Sequence, residues 1–153
     1  TVEGESIVAV DAAAPRVGDA RVIDAAGRFL IPGFIDGHVH HVVTTMNFSR
    51  LWKLSATELA LGMAKLAEAT VRRGFTTVRD TGGDTRGLVR AIAAGLCDGP
   101  RIVRSGRALS QTGGHGDMNP DASVTCACQI FSNSLSHVAD GPDAVRHAAR
   151  HEL

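Results

Sequence analysis

The residues of this chain best suited to chemistry are His38 and His40, one residue apart at the end of the apolar run "PGFIDGHVH", Pro32 to His40. On an extended strand alternate residues point to the same side, so both imidazoles are expected on one face and Val39 on the other. Two imidazoles so placed can share a metal ion. Spacing alone is weak support, because seven histidines in a chain of this size give about 0.3 such pairs by chance. The competing reading is two partly buried histidines bonded to backbone. Position favours the metal: the pair falls at the carboxyl end of a run that reads as a buried strand opening a βα series, where parallel sheets and barrels place their chemistry.

Two further residues fall near the same rim. Asp80 ends "TTVRDTGG" and is expected either as a carboxylate supporting the metal ligands or as a turn residue opening a loop. His115 lies in "SQTGGHGD" between glycines that let backbone approach a ligand closely, which makes it the substrate-side candidate against a plain solvated histidine. Other patterns carry less. His147 and His151 stand four apart on a helical stretch and read as an exposed polar face, and Cys126 with Cys128 is a lone C-x-C, most often structural. "TGGDTRG" lacks the Lys-Ser/Thr ending of a P-loop and the glycine order of a dinucleotide fold, and no G-x-S-x-G elbow is present.

Elements that could position these residues follow from periodicity. The opening segment alternates apolar and polar residues in "SIVAV" and "ARVIDAAGRFL", which predicts short half-buried strands joined by turns. From Phe29 to His40 the run is nearly all apolar, which predicts a strand buried on both faces. Leu59, Met63, Leu66 and Val71 recur at helical spacing from Ser55 to Arg73, with Ser55 and Glu58 set as a capping box and Gly74 just past the end. "FTTVRD" then reads as a strand, Thr85 to Leu96 as a helix, "RIVRSG" as a third strand and Pro142 to Leu153 as a third helix. Strand and helix alternate three times, so the class is α/β with parallel strands and right-handed crossovers. Arg107 to Asp140 is rich in Gly, Ser, Thr and Asn with little periodicity, and long loops inside compact domains are usually functional.

Composition limits the partners. With 153 residues, 44% of them hydrophobic, the chain has material for one ordinary globular domain. Sixteen basic and sixteen acidic residues balance, so no net field draws it to nucleic acid or an anionic membrane. No run approaches the roughly 20 apolar residues that span a bilayer, and no signal peptide is apparent, so the expected compartment is the cytoplasm. Three cysteines, Cys97, Cys126 and Cys128, read as reduced thiols.

The motifs resemble those of the metal-dependent amidohydrolases. "VIDAAGRFLIPGFIDGHVH" is similar to that superfamily's passage from an N-terminal β-sandwich into the first barrel strand. "GFTTVRDTGG", "PRIVRSGRALSQTGGHGD" and "HVADGPDAVRHAAR" resemble the branch of Xaa-Pro dipeptidases and imidazolonepropionase-like enzymes. The resemblance implies a partial (β/α)8 TIM barrel, its first three βα units, in residues 31–153, preceded by part of a small β-sandwich in residues 1–30. It implies a divalent metal at His38 and His40, zinc, with two ions per active site in the complete enzyme. Relatives bridge the ions with a carboxylated lysine from the fourth strand, add histidines from the fifth and sixth and use an aspartate of the eighth as general base. The implied reaction is hydrolysis of an amide or dipeptide bond by metal-activated water.

Those later residues have no counterpart before Leu153, and both ends of the chain look cut, so a fragment is expected, with no catalytic residue of its own and no activity alone. Unpaired strand edges and an uncovered barrel interior would make such a fragment aggregation-prone or dependent on self-association, a homo-oligomer. Alternatives are a cyclic amidohydrolase or deaminase of the same fold, or a non-catalytic half-barrel that binds or assembles.

Overall fold

A computed structural model describes residues 1–10, 18–117 and 135–153. The chain divides into two compact units, Thr1–Pro32 and Gly33–Leu153. In the first, β1 (Val2–Glu3) and β2 (Ser6–Ile7) pair antiparallel, Val2 opposite Ile7, across a turn in which Gly4 takes a positive φ. The strands expected in "ARVIDAAGRFL" do not form: among the described residues 18–32 contain no strand, and Val22 and Ile23 are exposed. Alternation marks a segment able to pair, but a strand exists only where a partner edge satisfies its backbone.

The second unit holds the elements that matter for chemistry. In chain order they are β3 (Phe34–Val39), α1 (Phe48–Leu51), α2 (Ala56–Arg72), β4 (Phe75–Asp80), α3 (Arg86–Ala93), β5 (Arg101–Arg104), β6 (Ala108–Ser110), β7 (Ser136–Val138) and α4 (Gly141–Glu152). β3, β4 and β5 form one parallel sheet with β4 in the middle. α2 joins β3 to β4 and α3 joins β4 to β5, as the alternating pattern requires. β6 and β7 form a second, two-stranded parallel sheet inside the stretch that sequence reads as aperiodic.

α2 begins with the capping box expected from sequence: the Ser55 hydroxyl accepts the Glu58 N–H, and the Glu58 carboxylate accepts the Ser55 N–H at 2.9 Å. Those bonds from the Ser55 backbone and side chain hold the Glu58 carboxyl below its ordinary range. Gly74, at a positive φ, follows the last turn and leads straight into β4. The buried stripe of α2 is Leu59, Met63, Ala67 and Thr70, while Leu66 and Val71 are only half-buried. Size explains the rotation from the expected stripe, since Ala67 and Thr70 let the helix axis come close to its neighbours, and the Thr70 hydroxyl is satisfied by the Leu66 carbonyl at 2.8 Å. Around this stripe Val42, Leu51, Leu88 and Leu135 complete the core.

β3 departs from expectation. It is not buried on both faces: Phe34 is 52% and Ile35 74% exposed. Among the described residues it is an edge strand with a partner on one side only.

Candidate active site

The three parallel strands end in register at one rim, with Val39 beside Asp80 and Asp80 beside Arg104. The β3–β4 ladder slips by one residue between Asp36 and Val39, so Gly37 and His38 together stand against Arg79. This bulge is held from both sides: the Arg79 Nε donates to the Gly37 carbonyl at 2.8 Å, and the His38 N–H donates to Asp36 Oδ1 at 3.0 Å. Bulges re-aim side chains at strand ends, commonly beside active sites. His38 therefore sits in a bulge and His40 just beyond the strand, where simple alternation no longer governs them. Their rings still meet, with centroids 5.1 Å apart and planes at 86°.

The pair passes a simple test for metal binding. Two imidazoles that bind one ion through nitrogens at about 2.1 Å keep their centroids within roughly 6.4 Å, and 5.1 Å satisfies this. His40 Nδ1 lies 3.1 Å from the Gly82 carbonyl oxygen. A carbonyl only accepts, so Nδ1 carries the proton and Nε2 keeps the lone pair a metal needs. Among the described residues no third His, Cys, Asp or Glu joins them. Catalytic zinc usually has three protein ligands and a water, so the pair fits as two donors of a larger set.

Asp80 touches neither of those rings. It is 1% exposed and binds His41, itself 2% exposed. Its Oδ2 accepts both the His41 backbone N–H at 3.0 Å and the His41 Nδ1–H at 2.9 Å, while Oδ1 faces the Gly82 N–H at 3.4 Å. These bonds satisfy a buried carboxylate that would otherwise be costly. His41 was not singled out in the sequence, because strand alternation turns it away from His38 and His40. The signal that could have found it is the pairing of Val39 with Asp80, which brings the next histidine to the end of β4.

His115 stands exposed on the turn after β6. The turn is shaped by its neighbours: the Gly116 N–H donates to Ser110 Oγ at 3.1 Å, the Ser136 hydroxyl donates to the Gly116 carbonyl, and the Gly113 N–H donates to Asp117 at 2.9 Å. Among the described residues no hydrogen bond or ring contact links His115 to His38 or His40. β6 does begin at the site, since a Cβ placed on Gly82 would lie 3.2 Å from both Ala108 Cβ and His40 Nδ1. His147 and His151 are both exposed on α4, and Cys97 is a free thiol whose pKa burial pushes up, with Glu68 and Asp98 adding to the shift. Cys126 and Cys128 lie outside the described residues.

Residues 29–153 match the profile of the amidohydrolase family. Two solved structures are similar over nine-tenths of the chain. One is an amidohydrolase, 43% identical with a TM-score of 0.75, covering 90% of this chain and 35% of that one. The other is a prolidase solved with N-methylphosphonate-L-proline, 40% identical with a TM-score of 0.76, covering 89% and 34%. Ochratoxinase from Aspergillus niger is 31% identical over 136 residues, 81% of this chain and 28% of that protein. The chain belongs to the amidohydrolase family, and its parallel βα units are those of a partial (β/α)8 barrel. It spans about a third of the length of the solved structures it matches.

Proposed function

We propose that the whole protein hydrolyses a C–N bond in a small amide or peptide, with an Xaa-Pro dipeptide as the leading substrate class, and that His38 and His40 supply two ligands to a divalent metal, zinc. The observation that carries this is the convergence of the two rings at the carboxyl end of β3, with His40 Nδ1 engaged by Gly82 and Nε2 left to bind. The prolidase likeness supports the substrate class. When bound, the metal supplies Lewis acidity toward the water and the scissile carbonyl. The remaining roles fall to the chain's own residues. His38 and His40 hold the donor geometry, Asp80 supports it from behind through its bonds to His41 and Gly82, and His115 on its braced turn contacts the substrate.

Residues 1–30 are proposed as one part of the small β-sandwich that precedes such barrels. A catalytic base and the remaining ligands are expected from barrel strands other than these three.

The test is hydrolysis of Xaa-Pro dipeptides and N-acyl amino acids by the full-length protein. A chelator should abolish turnover and added zinc should restore it. His38→Ala with His40→Ala should lower bound metal and cut kcat/KM at least about a hundredfold, as loss of ligands does at metal centres. Unchanged metal content and turnover in that variant would remove the reading. Retention of metal with cleavage only of cyclic amides or aminated heterocycles would move the substrate class instead.

A further inference from the structure

We infer that Asp80 and His41 form a positioning pair that sets the tautomer and orientation of His40 through the Gly82 peptide; this rests on the proposed metal-binding role of His40. The path is a sequence of hydrogen bonds. His41 donates twice to Asp80 Oδ2, Asp80 Oδ1 receives the Gly82 N–H, and the Gly82 carbonyl receives the His40 Nδ1–H. Asp80 therefore governs a ring that it does not touch.

The residues on both sides of Gly82 are held by backbone hydrogen bonds. The Thr81 N–H before it donates to the Val39 carbonyl at 3.0 Å, and the Gly83 N–H after it donates to the Gly106 carbonyl at 3.0 Å. A side chain at Gly82 would crowd the ring, because a Cβ would stand 3.2 Å from His40 Nδ1 and 3.2 Å from Ala108 Cβ, so these neighbours would have to give by a few tenths of an ångström. Consecutive residues are thus gripped by the end of one neighbouring strand: His41 by Asp80 itself, and His40 by the carbonyl that follows. The histidine bond partner opposite a metal decides which nitrogen is free to ligate. With the Gly82 carbonyl held in place, that nitrogen is Nε2.

Asp80→Asn keeps the volume of the pair but leaves at most one acceptor oxygen, so its amide NH2 opposes either Gly82 or His41. Gly82→Ala leaves Asp80 and His41 untouched and presses on the His40 ring directly. His41→Gln retains an N–H that can reach Asp80 and serves as the conservative rescue. The measurement is two-bond proton–nitrogen correlation on the metal-free, full-length protein with nitrogen-15 histidine, His40 being assigned by its loss in His40→Gln, followed by zinc titration.

The parent and His41→Gln should show His40 wholly as the Nδ1–H tautomer. Asp80→Asn and Gly82→Ala should show a tautomer mixture, with zinc affinity weaker by about ten- to hundredfold. If both variants keep the parent tautomer and affinity, the positioning path is wrong while the metal reading stands. If the parent binds no zinc, the metal reading falls, and the tautomer comparison alone decides whether Asp80 acts on His40.

Discussion

At the scale of single residues, the site depends on which atoms already have partners. His38 and His40 meet as rings, yet only His40 has a bond that assigns its proton. His115 is the least anchored of the candidates as a side chain and the best anchored as backbone, since Ser110, Ser136 and Asp117 all hold its turn. Thr112 extends the brace, its N–H and hydroxyl donating to Asp140 at 2.9 and 2.5 Å, and these bonds hold the Asp140 carboxyl below its ordinary range. An exposed ring on a fixed turn suits contact with a substrate. His115→Ala in the full-length protein should lower kcat/KM about tenfold, the equivalent of one lost hydrogen bond, with circular dichroism unchanged. Kinetics equal to the parent in both kcat and KM would end that assignment.

Elements are tied to one another by a few buried charges. The clearest is at the end of α4, where Glu152, its side chain 7% exposed, accepts the Arg107 backbone N–H at 3.0 Å and Arg107 Nε at 2.6 Å. Burial pushes the Glu152 carboxyl up, but the bonds and charge of Arg107, with His151 adding to them, prevail and leave it below its ordinary value of 4.5. A carboxyl depressed in the folded state contributes stability that is complete above its unfolded pKa and is lost as pH falls through the folded one. Glu152→Gln should therefore cost about 1–3 kcal/mol at neutral pH. That difference should shrink below the ordinary carboxylate range, as denaturant midpoints of parent and variant at about pH 7 and about pH 3 would show. A pH-independent difference would mean that packing, not charge, holds α4 to the start of β6.

For the molecule as a whole, the sheet of the second unit carries its apolar residues to an edge. Phe34 and Ile35 are largely exposed on β3, and Val103 is exposed on β5 at the other edge. Edge strands with apolar side chains and free backbone groups invite pairing with further chains. The 153-residue chain expressed by itself should self-associate at micromolar concentration, visible as a concentration-dependent sedimentation coefficient. A monomer with one sharp, cooperative unfolding transition would contradict this.

How much was legible in the sequence depended on how local the cause was. The capping box of α2, the bounds of β4 at Phe75 and Asp80 and the α/β alternation were readable, because caps and periodicity act within a few residues. The H-x-H motif also announced itself. The β3 bulge, the β6–β7 pair and the burial of Asp80 against His41, 39 residues away, were not readable in that way. Each depends on which backbone lies alongside which, and that is decided only when distant strands pair. By itself the sequence determined the class of fold and set His38 and His40 one residue apart at a strand end; tertiary structure decided that a bulge aims them, that the Gly82 carbonyl faces His40 Nδ1 and that Asp80 engages His41, because register and burial belong to strand pairs and not to single strands.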